Sequence, residues 1–276
     1  MSWHGSLSLR YRVEDGRTLV HDRHDGPLRV LRSLYPESAG VCHNVLVHPP
    51  GGIVGGDTLA IDLALEPGAH ALVTTPGATR FYRSAGTLAT QALTARVETG
   101  ARLEWLPLET IAYSGCIAEN KVRFDLDAGA EMIGWDLTAL GLPTSDQPFV
   151  AGSFSQSIEF PGRWLERGTV RGEAPALLDS PLGWAGQRVL ATLWFAAGGP
   201  IIDARRDALL EAARAAGGQH ALHRTSGATA PHAGVVVVRV LAPKVEPAMA
   251  LLSTIWSAWR RTAWQLEPCV PRVWRT

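Results

Sequence analysis

The sequence has little of what marks secreted, membrane-spanning or nucleic-acid-binding proteins. Its cysteines (Cys42, Cys116 and Cys269) are odd in number and widely separated, so we predict no disulfide framework and expect a reducing cytoplasm as the location. The apolar runs end before the roughly 18 residues that a membrane-spanning helix needs, and the first residues lack the pattern of a signal peptide. The 26 basic residues are balanced by 26 acidic ones. We therefore expect neither a membrane nor a nucleic acid as a partner.

Motifs for catalysis are missing as well. There is no Gly-x-Ser-x-Gly nucleophile turn and no His-Glu-x-x-His zinc motif. Nine histidines are present, but His220 and His223 would bind one ion only on a continuing helix, and Gly217-Gly218 argues against that helix. The sequence therefore contains no recognised hydrolase motif, and it predicts no permanently bound metal or cofactor. Weak ligation of a metal in transit, by separate side chains along a wet path, remains open.

Alternation of apolar and polar residues predicts strands through the first two thirds of the chain. The pattern predicts a first hairpin that turns at Asp15-Gly16 and a strand over 41–47. A repeat follows, in which Gly-Ala at 68–69, 100–101 and 129–130 separates alternating runs about every 30 residues. Glycine permits the positive φ that such a corner needs. We interpret the fold as mainly β, a β-helix-like stack of strands that forms an irregular solenoid or sandwich; a row of ordinary hairpins is the alternative.

Two α-helices are predicted in the C-terminal third. Residues 203–216 are strong helix formers, with Asp203 placed to cap the start and Gly217-Gly218 to end the helix. A buried strand over 235–241 and a second helix over 247–265, which opens on a proline, follow. We expect a single domain over 1–276, strand-rich over 1–200 and helix-strand-helix over 201–276.

The second predicted helix has an unusually wide apolar surface. Trp256 and Trp264 lie on a side of it that is rotated from the face formed by its leucines. Such a helix either packs deep in the fold or meets a partner, and aromatic stripes more often pack inside.

Two segments rich in proline and glycine stand out near the N-terminus, at 48–57 and 74–84. The first contains four glycines, but it lacks the Gly-Lys-Ser/Thr ending of a phosphate-binding loop, and Asp57 would repel a phosphate. We interpret it as a crossing where backbone approaches backbone. In the second segment, Arg80, Tyr82 and Arg83 combine cations and aromatic rings, as binding surfaces do, although these side chains could equally brace the loop internally.

These segments belong to a series of four sequence blocks. The third block is Leu-Glu-Trp-Leu-Pro at 103–107 with Glu-Thr-Ile at 109–111, and the fourth is Pro-Arg-Val-Trp-Arg-Thr at 271–276. In this order and at these separations, the four blocks resemble the UreD family of urease accessory proteins, called UreH in some organisms, from one end of the chain to the other.

The resemblance implies a non-enzymatic scaffold that acts in nickel delivery. Family members are expected to bind the urease apoenzyme and to join UreF and the GTPase UreG, so GTP hydrolysis would belong to a partner. A β-helix-like fold with two helices is also implied. In this reading, nickel is in transit and travels through an internal tunnel.

Site residues follow from the resemblance as hypotheses. Asp57, Asp62 and Glu109 are our candidates for brief, loose ligation of nickel, because a tight histidine and cysteine site would trap the ion. The candidates for partner contact are Arg80, Tyr82, Arg83, Trp256 and Trp264.

Two other functions are kept as alternatives. A β-helix hydrolase or lyase acting on polysaccharides would use a carboxylate pair drawn from Asp57, Asp62, Glu104 and Glu109. A metal-storage protein would bind nickel tightly by itself.

Overall fold

A computed structural model describes residues 2–142 and 145–275 of the chain. Strands dominate because apolar side chains alternate with polar ones, as in the first strand, where every second residue from Gly5 to Tyr11 is buried. The strands form a seven-stranded and an eleven-stranded sheet. The first sheet, in spatial order, contains β15 (Trp164–Arg171), β14 (Ser153–Phe160), β11 (Ile117–Leu126), β8 (Ala89–Val97), β5 (Thr58–Leu65), β1 (His4–Glu14) and β2 (Arg17–Asp25).

The second sheet covers one face of the first. Its main strands, in spatial order, are β17 (Ser226–His232), β18 (Val235–Ala242), β16 (Val189–Ala197), β12 (Glu131–Leu142), β9 (Arg102–Leu106), β6 (His70–Thr74), β4 (Val41–Val47) and β3 (Arg29–Val30). Three short strands complete it: β10 (Thr110–Ala112), which pairs with β12 and with β7 (Thr79–Phe81), and β13 (Gln147–Pro148), which pairs with β12.

The Gly-Ala repeat builds stacked coils. Each Gly-Ala pair links a strand of the first sheet to a strand of the second, and the coils lie in parallel register, β5 with β8 and β11, and β6 with β9 and β12. Gly68, Gly100 and Gly129 have φ of 75°, 72° and 81°. The corners contact one another, since Gly100 N donates to Gly129 O at 3.2 Å. The β-helix-like prediction is confirmed, and the row of hairpins is wrong because these ladders are parallel.

The first hairpin and the strand over 41–47 also form as predicted. Asp15 and Gly16 take φ of 48° and 74° between β1 and β2, as a tight primed turn requires. All residues of β4 are buried except the last, which is half-buried.

Two apolar cores hold the layers together. The first lies between the sheets and is built from the inward positions of the stacked strands. The second lies between the other face of the second sheet and the helices, and it contains Trp135, Trp256 and Trp259. The wide apolar surface of the second predicted helix therefore packs inside the fold and is not left open for a partner.

The helices differ from the sequence predictions at their ends. They are α1 (Pro175–Asp179), α2 (Asp203–Gly218) and α3 (Val245–Trp259), followed by a π-helical turn (Arg260–Trp264) and a 3₁₀ turn (Arg272–Arg275). Asp203 does not cap α2: Ile202 is at the N-cap, and the Asp203 carboxylate pairs with Arg206 at 2.8 Å. The helix also continues through Gly217-Gly218, whereas the sequence predicts that it ends there.

The last predicted helix begins two residues before Pro247 and is α-helical only to Trp259. None of the helices among the described residues is long and apolar enough to cross a membrane. The fourth sequence block ends at Thr276, which lies outside the described residues.

Candidate functional site

A row of amide side chains crosses the space between the two sheets. Gln91 on β8, Asn120 on β11 and Gln156 on β14 are register partners on neighbouring parallel strands. Each occupies an inward position, where most other side chains of these strands are apolar. Gln91 Nε2 donates to Asn120 Oδ1 at 3.3 Å. Because neighbouring strands lie about 4.8 Å apart, the three amides form a continuous polar line through an apolar interior.

A carboxylate faces this row from the opposite sheet. Asn120 Nδ2 donates to Asp136 Oδ2 at 3.1 Å, and the Thr138 hydroxyl lies 3.1 Å from Asp136 Oδ1 and 3.3 Å from Gln156 Oε1. Burial raises the pKa of Asp136 to about 6, although hydrogen bonds with Gln156, Thr138 and Asn120 act in the opposite direction. The interior therefore holds a carboxylate that changes charge close to neutral pH.

The amide row ends at a cavity on each side. One cavity, of about 300 Å³, is lined by Gln91 and by its register partner Leu59, as well as by the two segments rich in proline and glycine. The other, of about 240 Å³, is lined by Gln156 and by its register partner Gly168. Glu166 also lines the second cavity. We call this arrangement, from the first cavity along the amide row to the second, the polar passage.

The second cavity leads the polar passage to the protein surface. Glu166 Oε2 accepts from Arg239 Nε at 2.9 Å, and Arg239 is half exposed. Glu166 Oε1 lies 3.4 Å from the Thr192 hydroxyl. The negative charge of Glu166 also contributes to the raised pKa of Asp136, which places the two carboxylates within electrostatic reach of each other.

Glycines allow close approach at the first cavity, which Gly52 lines, and beside it at Gly55. A Cβ atom on Gly52 would lie 2.0 Å from the Tyr82 ring, and one on Gly55 would lie 2.3 Å from Ser84 Oγ and 2.8 Å from Thr87 O. Ile53 N donates to Arg80 O at 2.7 Å, so the two segments run side by side. The predicted backbone crossing is confirmed at Gly55, whereas Gly52 makes room for an aromatic ring.

The structure does not bring Asp57, Asp62 and Glu109 together. Asp57 is buried, and its two oxygens accept from Trp3 N at 2.7 Å and Val54 N at 3.0 Å. Asp62 is exposed on the outer face of β5, and Glu109 is half-buried just before β10. Within 2–142 and 145–275, no group of three or more histidine, cysteine, aspartate or glutamate side chains could hold a metal. A role of these three carboxylates in nickel transit stays a prediction.

Glu104 lies in a buried ion cluster on the other face of the second sheet. It is fully buried, 3.3 Å from Arg260 Nη2, and it accepts from Trp256 Nε1 at 2.6 Å. His70 Nε2 lies 2.8 Å from the same carboxylate, and Glu37 accepts from Arg260 at 2.7 Å. We call these five residues the Glu104 cluster. Glu104 therefore does not share an open cleft with Asp57 or Asp62, as a polysaccharide hydrolase would require.

The residues predicted to contact partners fall into two groups. Arg80 and Arg83 are exposed, and Tyr82 is half-buried against the glycine loop. Trp256 is fully buried, and Trp264 is 5% exposed with its Nε1 donating to Glu131 at 2.7 Å. Only the first group is open to a partner in the folded chain; partner contact by any of the five stays a prediction.

The sequence predictions missed the polar passage. Gln91, Asn120 and Gln156 each interrupt an alternating strand at an inward position, and Gln91 and Asn120 are separated by about one repeat. Asp136 is a charged residue in a strand that is buried on both faces. A polar residue at the buried phase of successive repeats is the signal that could have identified them.

Comparison with known proteins gives a consistent result. A family model described as UreD urease accessory protein matches residues 4–275. A protein named urease accessory protein UreD from Leptothrix cholodnii is 62% identical over 100% of both chains. Proteins of the same name from Variovorax paradoxus and Paracidovorax citrulli are 58% and 60% identical, over 100% and 99% of each chain.

Proposed function

The chain belongs to the UreD family of urease accessory proteins, and on this basis we propose that it is a non-enzymatic maturation factor that passes nickel to the urease apoenzyme through the polar passage. The observation that carries the proposal is the amide row in register between two cavities, faced by Asp136. The groups of the row are hydrogen-bonded to one another and to Asp136, so the row can persist inside an apolar interior. It joins two cavities, which is the arrangement that a polar path through the protein needs.

The donor atoms suit an ion that must keep moving. Amide, hydroxyl and carboxylate oxygens hold first-row divalent metals less tightly than sets of imidazole and thiolate groups do. Water occupies about 30 Å³ per molecule in the liquid, so the cavity of about 300 Å³ has room for on the order of ten waters around an entering ion. Between the cavities the side chains are in hydrogen-bond contact, and the ion would advance by replacing one contact at a time.

Asp136 would supply the charge in the middle of the path. With a pKa of about 6, it is mostly ionised at neutral pH and attracts a cation into the low-dielectric interior. The amide row alone would provide oxygens but no net charge.

The proposal includes the partners and the location. UreF and the GTPase UreG would present nickel at one cavity, and the urease apoenzyme would receive it at the other. Glu109 remains a candidate near the first cavity, because its carbonyl accepts from Thr79 N at 2.9 Å and Thr79 lines that cavity. A cytoplasmic location agrees with Cys42, Cys116 and Cys269, which are free thiols.

The test replaces amides of the row with apolar side chains of similar size. Asn120→Leu and Gln156→Leu would be expressed with the urease genes in cells limited for nickel, with Gln219→Leu on the exposed end of α2 as the matched control. We expect several-fold less nickel in urease for the two row variants and wild-type nickel for the control. Co-purification with UreF should be unchanged. Thermal melting checks that the row variants fold, and Asn120→Leu should melt at a lower temperature because Asp136 loses a buried hydrogen-bond donor. Wild-type nickel content in both row variants would refute passage through the interior and leave a scaffold function.

A further inference from the structure

A second polar row crosses the interior on the inner face of the second sheet. Asp136 on β12 pairs in register with Thr192 on β16, and Thr192 pairs with Arg239 on β18. Side chains that lie directly opposite each other on antiparallel strands share a face, so all three side chains are on the side of the first sheet. The row spans two strand spacings, about 10 Å, from the buried Asp136 to the half-exposed Arg239.

This row ends at an ion pair between inward positions of the two sheets. Val237 and Leu241, which flank Arg239 at alternate positions of β18, pack against the core between the sheets. Glu166 on β15 shares its face of the strand with Trp164, which packs against the same core. The Arg239–Glu166 pair therefore lies at the rim of the apolar core, and Glu166 lines the second cavity there.

The two carboxylate oxygens of Glu166 have different surroundings. Oε2 accepts from Arg239 Nε at 2.9 Å and also from Arg239 Nη2. Oε1 instead lies 3.4 Å from the hydroxyl of Thr192, which is the register neighbour of Asp136. An ion that leaves Asp136 along this row therefore reaches Oε1 before it meets the guanidinium.

The guanidinium of Arg239 is held by this carboxylate alone. Within 2–142 and 145–275, its only hydrogen bonds go to Glu166, and 51% of the Arg239 side chain is exposed. Ion pairs this open to solvent are weak, because water competes for each partner and a long side chain loses freedom in the pair. The guanidinium can therefore leave Glu166 and move into solvent without breaking another hydrogen bond.

We propose that Arg239 is a gate residue at the second cavity, where its guanidinium competes with a divalent cation for Glu166. The inference rests on the proposed function and extends it by a residue that sets how tightly the ion is held. Arginine stays charged throughout the physiological pH range, so the competition is permanent. A cation bound at Glu166 is then readily replaced by the guanidinium, and the ion is released from the polar passage rather than trapped in it.

The experiment measures nickel binding by the purified full-length chain. Its variants are Arg239→Gln, which removes the competing charge, Arg239→Lys, which keeps it, and Arg239→Gln combined with Glu166→Gln. Arg123→Gln is the matched control, because Arg123 is another half-exposed arginine paired with carboxylates, on the outer face of the first sheet. Calorimetric titration with nickel chloride gives the affinity, and transfer of nickel to a chromophoric chelator gives the release rate.

Removing the competing charge should strengthen nickel binding. We expect Arg239→Gln to bind nickel about three- to tenfold more tightly than wild type and to release it correspondingly more slowly. Arg239→Lys should restore the affinity to within about twofold of wild type, because the charge is retained, and Arg123→Gln should not change it. The double variant should lose the gain. Thermal melting checks that all variants fold, and an ion pair with a structural role alone would change the melting temperature without changing nickel affinity.

Several results would overturn the inference. They are wild-type affinity in Arg239→Gln, a gain that survives in the double variant, a lysine variant that binds as tightly as the glutamine variant, and no binding up to millimolar nickel. If Arg239→Gln binds as wild type does while Asn120→Leu lowers the nickel content of urease, the gate fails and the proposed function stands. If Arg239→Gln binds more tightly while both row variants, Asn120→Leu and Gln156→Leu, deliver normal nickel, the gate stands and passage through the interior fails.

Discussion

The Glu104 cluster gives the sharpest prediction about stability, through Arg260→Met. Arg260 is fully buried and holds three separate parts of the chain: its guanidinium contacts Glu37, Glu104 and the carbonyl of Glu267, the last at 2.8 Å. Methionine retains most of the apolar volume of the stem but removes the charge. The variant therefore leaves Glu104, itself fully buried, without its cation.

The size of the effect follows from the burial. Removing one partner of a buried ion pair costs about 3–5 kcal/mol, because the remaining charge is uncompensated. For a chain of this length, each kcal/mol lowers the melting temperature by about 2–4 °C. We expect a loss of at least about 3 kcal/mol in the free energy of unfolding. Urea denaturation followed by tryptophan fluorescence measures it, since Trp256 lies in the cluster.

Three companion variants, Arg261→Met, Glu104→Gln and the double variant, make the reasoning refutable. Arg261→Met, at the next position, breaks an exposed pair with Glu267 and should cost less than about 0.5 kcal/mol. Adding Glu104→Gln to Arg260→Met should restore part of the loss, because a neutral amide needs no cation. A loss below about 1 kcal/mol for Arg260→Met, or a double variant that loses the sum of the two single losses, would show that the buried charges do not depend on each other.

Three further predictions concern the passage and its loops. Gly52→Ala should destabilise the protein by about 1–3 kcal/mol, because the new methyl group overlaps the Tyr82 ring; Gly77→Ala, at a position with open space, should change the melting temperature little. Asp136→Asn should become more stable relative to wild type as pH rises from about 4 to 6. The folded-state pKa of about 6 lies above the ordinary aspartate value of 3.8, so the ionisation of Asp136 destabilises wild type by up to about 3 kcal/mol over that range. A gap in denaturation midpoint that stays constant with pH would contradict this. Asp57→Ala should speed amide hydrogen exchange at Trp3 and Val54, because both amides lose their acceptor, and unchanged exchange would show that the carboxylate does not hold them.

The stacked fold could be predicted because its signals are local. Each Gly-Ala corner lies between the two strands that it joins, and a positive φ at Gly68, Gly100 and Gly129 is a property that glycine itself provides. The start of α2 could not be predicted so well. Asp203 has two local uses, capping and pairing with Arg206, and the sequence does not reveal which one prevails.

The polar passage and the Glu104 cluster could not be predicted, because they arise from strand register and from contacts between residues far apart in the sequence. Gln91, Asn120 and Gln156 each read as a single polar interruption until the strands are aligned side by side. Glu104 and Arg260 are separated by most of the chain, and no local pattern links them. Asp57 is predicted as a nickel ligand from its position beside the glycine-rich loop, and no local pattern shows that its oxygens accept backbone hydrogen bonds from Trp3 and Val54.

The register of the Gly-Ala corners makes the protein modular in length. Each coil adds one strand to each sheet, and a further coil of about 30 residues would move the two cavities apart by one strand spacing, about 4.8 Å. With an amide at the inward position, as in Gln91 and Asn120, such an insertion would extend the polar line without interrupting it. The distance over which an accessory protein of this architecture spans its partners is therefore a property that whole repeats can change, while the surfaces at either end keep their own sequences.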